Sequence, residues 1–265
     1  MCESNVYLNR EGNEELVMER VDRIVPGLDD NVFLENIFGE RKVLRARIKE
    51  MELVHHRIVL EEIPEEQSAV DTEIWIEPQT DHGHFHAGED VALKVMKGYN
   101  MKPSDLDISQ VRAVMVNEDG QNQVEIHMHH GVGEINIGHE TDGLIQLFVQ
   151  ENTDKDRYGK IVLEIGHHHH HELQPLGLPL EIVPCGYSHA RMGEQYEIVV
   201  LKDGAALPGV EVKATFAGTH SPDYPHRLIT GSDGKTRLFL SARGNYLFTV
   251  SVDNVISTFT LVKSF

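Results

Sequence analysis

The sequence has only two cysteines, Cys2 and Cys185, and its N-terminal region has no apolar run of the roughly 18 residues that span a membrane. Two cysteines cannot build a disulfide framework. Because no targeting segment is recognisable either, we expect a cytoplasmic protein that does not associate with membranes. In that reducing compartment a cysteine is more often a metal ligand or a nucleophile than half of a disulfide.

Basic residues are scarce, with 24 Lys and Arg against 43 Asp and Glu, a formal net charge of −19. This balance opposes binding to a phosphate backbone and suits metal cations, so no nucleic-acid partner is expected. The sequence also lacks a phosphate loop, a dinucleotide fingerprint and the context of a nucleophile elbow. We therefore predict a binding protein with no catalytic residues rather than an enzyme.

Short alternating runs predict an all-β chain without a long amphipathic helix. Runs such as "SNVYLN" and "NVFLENIF", separated by Pro26-Gly27 and Gly39, indicate a small SH3- or Sm-like barrel over residues 1–63. Residues 64–73 form an acidic linker. Two immunoglobulin- or prealbumin-like sandwiches are expected over 74–178 and 179–265, with turns at Asp119-Gly120 and Tyr158-Gly159.

Most of the 17 histidines lie between positions 82 and 189, in three motifs. The first, "DHGHFHAGED", has alternating His82, His84 and His86. In an extended chain these side chains share one face, about 7 Å apart, so two rings can converge on one ion if the strand bends or another ligand joins. A solvated polar face is the alternative.

The second motif, "QVEIHMHHGVGE", places Val124, Ile126 and Met128 on one face of a strand. Its other face has Glu125, His127 and His129, followed by His130. The imidazoles should therefore point away from the apolar layer. A solvated polar face is again the alternative, but two such motifs in one region favour metal binding.

The third motif is the histidine tract, residues 167–171, between a strand and a Pro/Gly-rich connection. Its members are His167, His168, His169, His170 and His171. Neutral imidazole suits nickel, copper and zinc, and such tracts bind metal loosely, as a reservoir rather than a selective site. An engineered tag is the competing explanation.

Cys2 offers a different kind of site. Its thiolate, its amide nitrogen and the terminal amine can form a planar N/S chelate, which favours Ni(II) or Cu(II), whereas a tetrahedral thiolate site favours zinc. One chain has too few donors, so two copies of Cys2 across a twofold axis would complete the site in a homodimer. The alternative is an inert residue that packs as a small hydrophobe.

Two further groups are weaker candidates. His55 or His56 could approach Cys2, but at most one of them would, because adjacent strand residues face opposite sides. Cys185 lies near His189 in "VPCGYSH" and fits a structural thiol better than a metal ligand.

The sequence resembles two families. "MCESNVYL" and "VFLENIFGERKVLRARIKEMELVHHRIVLEE" are similar to the CooT family, small nickel-binding proteins associated with maturation of carbon monoxide dehydrogenase. That resemblance covers about residues 1–63 and places Cys2 at the family's metal-binding position. From about residue 72 to 265, "IWIEP", "LGLPLEIVP" and "LKDGAALPGVEV" are similar to NikM-like β-sandwich proteins of nickel and cobalt uptake.

Together these features predict a cytoplasmic nickel metallochaperone or storage protein. Its cargo would be Ni(II), with zinc, copper and cobalt as competitors, and its client a nickel enzyme such as carbon monoxide dehydrogenase. Two alternatives are an Sm-like RNA-binding protein and a zinc-dependent hydrolase. The acidic balance opposes the first, and the histidine motifs supply no recognised zinc site with a general base for the second.

Overall fold

The computed structural model is built of β-strands, which confirms the predicted fold class. It describes residues 4–10, 13–26, 31–62, 71–79, 85–129, 132–166, 173–186 and 189–263. These ranges contain no α-helix, and hence none of the length and apolarity needed to cross a membrane. The chain folds as two compact units, Met1–Val70 and Asp71–Phe265.

The first unit is a closed five-stranded barrel. Its strands are β1 (Ser4–Arg10), β2 (Asn13–Pro26), β3 (Asn31–Asn36), β4 (Arg41–Glu52) and β5 (Arg57–Glu62), with a 3-10 turn at Leu53–His55. Each strand pairs antiparallel with the next, and β1 pairs parallel with β5 to close the barrel. Closure leaves the sheet without a free edge.

Side-chain alternation along β1 builds the barrel core. Val6 and Leu8 point inward and are buried, where they join Leu34 and Leu60. The expected break at Gly39 is confirmed: Gly39 has φ +80° in the turn between β3 and β4, a conformation that favours glycine. The Asn36 side chain accepts hydrogen bonds from the backbone of this turn, which fixes the hairpin.

Eighteen strands lie within the described residues of the second unit. They are β6 (Glu73–Pro78), β7 (Val91–Tyr99), β8 (Lys102–Ser104), β9 (Val111–Asn117), β10 (Gly120–Val124), β11 (His127–His129), β12 (Val132–Ile137), β13 (Gly143–Asn152), β14 (Asp156–Ile165), β15 (Leu180–Pro184), β16 (His189–Ala190), β17 (Gln195–Lys202), β18 (Ala205–Ala206), β19 (Glu211–Phe216), β20 (His226–Ile229), β21 (Lys235–Phe239), β22 (Tyr246–Val252) and β23 (Val255–Lys263). A 3-10 turn spans Ile108–Gln110. The expected turn at Asp119-Gly120 is confirmed, because Asn117 pairs with Gly120 at its base.

Two large hydrophobic cores and a smaller cluster of Phe148, Tyr158 and Leu178 lie in this unit. One sheet contributes to both large cores. The sheet has the order β10-β9-β13-β14-β23-β22-β19-β20, and the smaller sheets β11-β12-β7-β6 and β15-β17-β18 cover its two halves. Strand β14 contributes to both cores: Ile161 and Leu163 face the first, and Val162 faces the second. The boundary proposed between two sandwiches at residue 178 remains a prediction.

The predicted turn at Tyr158-Gly159 is wrong. Both residues lie inside β14, and the hairpin turn falls earlier, between β13 and β14. Gly159 is required there by packing: a Cβ on it would stand 2.6 Å from the Ile74 carbonyl oxygen of β6. Glycine therefore marks a close approach of two backbones in this strand rather than a change of direction.

Charged side chains are buried in the second unit. Lys160 and Glu181 are 1% and 0% exposed, and the Lys160 Nζ lies 2.6 Å from the Glu181 Oε1. The backbone N–H groups of Leu176 and Gly177 also donate to this carboxylate. Burial lowers the pKa of Lys160, against the opposing effect of Glu181. This ion pair ties β14 to β15 and to the connection before it.

Glu73, at the start of β6, is a second buried acid. Its carboxyl accepts hydrogen bonds from the Tyr224 hydroxyl, from the Thr249 hydroxyl at 2.9 Å and from the Asn100 N–H at 3.4 Å. Burial raises the pKa of Glu73 to about 7, although these hydrogen bonds oppose the shift. Glu73 joins the β7–β8 turn to strand β22 and the segment before β20.

Candidate metal centre

Cys2 lies outside the described residues, but the barrel around the start of β1 is well defined. The Asn5 N–H donates to the His56 carbonyl at 2.8 Å, so the chain leading to Cys2 starts beside the turn that carries His55 and His56. The His55 side chain is 75% exposed, with its Nδ1 3.7 Å from the Glu52 Oε2. The His55 imidazole and the Glu52 carboxylate are therefore neighbours in this turn, and His56 is exposed next to them in the chain.

The expectation that His55 and His56 face opposite sides of a strand is not supported by this local structure. Both residues belong to the turn between β4 and β5, where Leu53–His55 is a 3-10 segment and His56 has φ +51°. Strand alternation does not apply to such a turn. No glycine or proline interrupts the long β-type run that contains them, so this turn has no sequence signal.

The "HFH" motif is anchored by its central residue. Phe85 is 6% exposed, belongs to the first core of the second unit and forms a parallel bridge with Ile165. His86 is exposed in the following turn, whereas His82 and His84 lie outside the described residues. Placing the phenyl ring inward leaves the neighbouring His86 on the solvent side.

The histidine tract also lies outside the described residues, but the residue before it is fixed. The Gly166 N–H donates to the Phe85 carbonyl at 2.8 Å. His167 follows Gly166 directly, and His86 follows Phe85 directly. The central residue of the first motif and the residue before the third are therefore hydrogen-bonded to each other.

The second motif divides between two sheets. Strand β10 ends at Val124 in the large sheet, and β11 starts at His127 in the sheet that faces it. Val124 and Ile126 pack against the first core, as predicted, but Met128 is 47% exposed because β11 is an edge strand. His130 lies outside the described residues.

The imidazoles of β11 point to solvent, as predicted. The His127 and His129 side chains are 63% and 64% exposed. The His127 Nε2 is 3.7 Å from a Glu125 carboxylate oxygen, and the His129 Nδ1 is 3.5 Å from the Glu134 Oε1. The Gln79 side-chain N–H donates to that same Oε1 at 3.3 Å. Glu134 is a residue that the sequence motif alone did not identify.

His139 is another residue that pattern reasoning missed. Its Nδ1 lies 3.5 Å from an Asp90 carboxylate oxygen and its Nε2 3.7 Å from a Glu140 carboxylate oxygen. Asp90 and His139 meet because Val91 pairs with Ile137 at the adjoining strand ends. A single histidine in a turn has no periodic signal, so only the strand register could have found it.

Cys185 is half-buried, and its backbone N–H donates to the Glu197 carbonyl at 3.0 Å. Burial raises the pKa of its thiol, which disfavours the thiolate that a metal needs. The preference for a structural thiol fits this environment.

Within the described ranges, no three His, Cys, Asp or Glu side chains are already arranged to hold a metal ion. Nine of the twelve predicted ligands lie outside those ranges: Cys2, His82, His84, His130 and the tract of five. The described ligands, His86, His127 and His129, are all exposed and reachable by a cation. Their role in metal binding remains a prediction.

Comparison with known proteins identifies both parts of the chain. A family model described as CO dehydrogenase accessory protein CooT matches residues 1–61, and a model described as a domain of unknown function, DUF4198, matches residues 72–254. Among curated proteins no match is found.

Several solved structures are similar. A protein described as CooT from Carboxydothermus hydrogenoformans is 49% identical over 23% of this chain and 97% of that one, with a TM-score of 0.22. The D0-D1 domain of intimin and the fibronectin(III)-like modules of Clostridium thermocellum CbhA are each 10% identical over 72% of this chain, with TM-scores of 0.25. These matches cover 97% and 94% of the two proteins.

The CooT family model confirms the resemblance of the barrel, and the separate second family model confirms that a distinct region, built of β-strands, follows it. The second family's description names no activity. The chain belongs to the CooT family of CO dehydrogenase accessory proteins through residues 1–61 and to the DUF4198 family through residues 72–254.

Proposed function

We propose that this protein is a cytoplasmic nickel-binding accessory protein that supplies a nickel enzyme. The observation that carries the proposal is the 49% identity of the barrel to a CooT protein, a family described as accessory to CO dehydrogenase. In this proposal the protein is a metallochaperone or nickel store and not an enzyme. Carbon monoxide dehydrogenase or another nickel enzyme is its client.

The selective site of this proposal is Cys2. Its thiolate is the only sulfur donor of the N-terminal unit apart from methionine thioethers, and soft sulfur with nitrogen donors suits square-planar Ni(II). The exposed His55 and His56, in the turn beside the start of β1, are candidate additional nitrogen donors. A homodimer that brings two Cys2 thiolates together completes the ligand set.

The histidine-rich motifs act as a reservoir in this proposal. Support comes from the hydrogen bond between the Gly166 N–H and the Phe85 carbonyl, because it joins the residue that precedes the tract in the sequence to the central residue of the "HFH" motif. The net charge of −19 further raises the local concentration of cations. Weak, clustered sites release metal readily, which suits transfer to a client.

Metal analysis of untagged protein, purified without a metal column, tests the proposal most broadly. We expect nickel in the isolated protein and a thiolate-to-nickel charge-transfer band in the near-ultraviolet on titration. The band should saturate at about one ion per two chains, as expected for a site shared across a twofold axis. Preferential retention of zinc without that band would reject the nickel function.

Calorimetric titration separates the reservoir from the selective site. A variant with glycine at each position from His167 to His171 should lose several weakly bound ions and keep the charge-transfer band. Imidazole sites should also release nickel between about pH 7 and 5, because protons compete for the same lone pair. Identical binding curves for the variant and the natural protein would remove the tract from the proposal.

A further inference from the structure

We propose that His127, His129 and Glu134 form an exchangeable binding site for a divalent first-row cation on the outer face of β11 and β12. This inference rests on the proposed nickel function and adds a carboxylate ligand, Glu134, to the second histidine motif. The pairing of residues between β11 and β12 is the observation that supports it.

The register puts three donors on one face. His127 is the antiparallel partner of Glu134, and directly opposed residues of two strands share a face with Cβ atoms about 5 Å apart. His129, two residues along β11, projects to the same side. Its Nδ1 already lies 3.5 Å from the Glu134 Oε1. A cation between the three side chains needs only rotation of exposed imidazoles.

The surroundings of Glu134 leave its charge poorly compensated. The side chain is 23% exposed, and its carboxylate contacts a neutral amide, that of Gln79, and the imidazole of His129. Lys94 is opposite Glu134 on the other neighbouring strand, but it forms no ion pair with it in the described part of the chain. A partly buried carboxylate of this kind gains most from a cation that also binds nitrogen.

The Gln79 hydrogen bond also orients the carboxylate. Groups that hydrogen-bond to a metal ligand fix its direction and strengthen binding. Gln79 immediately follows β6, and its own N–H donates to the Ala92 carbonyl at 3.0 Å, so its backbone is held by the sheet. The sheet therefore holds the backbone of the residue whose side-chain amide donates to Glu134.

The ligand set predicts an open coordination sphere. Two imidazoles and one carboxylate fill three positions and leave the rest to water, as in two-His-one-carboxylate sites. The His127 ring now lies near Glu125 instead, which explains why the three donors are not yet converged. Such a site binds and releases an ion quickly, in contrast to a thiolate chelate.

Nickel itself provides the test, since Ni(II) with six N and O donors is paramagnetic and square-planar Ni(II) is diamagnetic. In the full-length protein, substoichiometric Ni(II) should broaden the backbone amide NMR signals of Met128 and Gly133. Glu134→Gln should raise the nickel concentration for half-broadening by about tenfold or more. Glu140→Gln, which removes the same charge beside the exposed His139, should leave that concentration unchanged.

Equal midpoints for Glu134→Gln and the natural protein would overturn Glu134 as a ligand. Absence of broadening at Met128 and Gly133, while other amides broaden, would overturn the site itself. The Cys2 charge-transfer band is recorded on the same samples. Its absence would count against the proposed function alone, because the β11 site contributes no thiolate signal.

Discussion

The two units of this chain treat charged side chains differently. In the barrel, Arg47 pairs with Glu61 at the surface, where the arginine side chain is 71% exposed. In the second unit, Lys160 and Glu181 pair with almost no exposure, and Glu73 is buried without a salt bridge among the described residues. Exposed pairs contribute little to stability, whereas a buried charge is costly once its partner is removed. Sensitivity to mutation and pH should therefore reside in the second unit.

The largest effect is expected from Lys160→Met. This change leaves the buried Glu181 carboxylate without its cation, and breaking such a pair costs about 3–5 kcal/mol. The free energy of unfolding can be followed by fluorescence of the chain's one tryptophan, Trp75, which is fully buried in the second unit. Urea denaturation should show an earlier transition.

Two controls make this prediction specific. Adding Glu181→Gln to Lys160→Met should recover part of the loss, because the amide keeps an acceptor for the Leu176 and Gly177 N–H groups without the charge. Arg47→Met in the barrel should leave the Trp75 transition unchanged. A double variant as unstable as the single one would show that packing, not charge, causes the loss.

Glu73 should make the second unit less stable as the pH rises. Its pKa is about 7 in the folded protein against 4.5 as a reference, so the folded state binds the proton more tightly. The added stability is complete below about pH 4.5 and is lost as the pH rises through about 7. The full difference is about 3 kcal/mol.

Glu73→Gln isolates this contribution from other titrating groups. The difference in unfolding free energy between natural protein and variant should change between pH 5 and 8, measured through Trp75. A difference that is constant over this range would contradict the raised pKa. Glu61→Gln in the barrel is the matched control, because its carboxyl is paired at the surface and its pKa is lowered by Arg47.

A smaller effect is expected from Gly159→Ala. The new Cβ would stand 2.6 Å from the Ile74 carbonyl oxygen, and overpacking of this kind costs about 1–3 kcal/mol. Gly186→Ala is the matched control, since its Cβ would meet no atom within 4 Å. Equal unfolding midpoints for the two variants would mean that β6 can move away from β14.

Sequence alternation predicts strands well because it reflects which side chains are buried. Val6 and Leu8 of β1 and the outward His127 and His129 of β11 follow it directly. Gly159 was misassigned because a glycine needed for a backbone contact looks the same as a glycine needed for a turn. Only the contact with Ile74, which is far away in the sequence, distinguishes these two roles of glycine.

The candidate site was less predictable than the fold. Motif spacing identified the histidines. The partners of Glu134 and His139, however, depend on how neighbouring strands are paired. The contact between Phe85 and Gly166 likewise joins residues that are far apart in the sequence. Register depends on turns and packing beyond the motif itself. Alternation within one strand therefore predicts which of its side chains share a face. It does not identify the ligand that the neighbouring strand contributes to that face.

Nickel titration of the Cys2→Ser variant tests the central claim most directly. We predict that the natural protein develops a thiolate-to-nickel charge-transfer band in the near-ultraviolet and that Cys2→Ser abolishes it, because serine offers no thiolate. Cys185→Ser, at the chain's other cysteine, should retain the band. A band that survives Cys2→Ser and disappears with Cys185→Ser would contradict the account and move the selective site into the second unit.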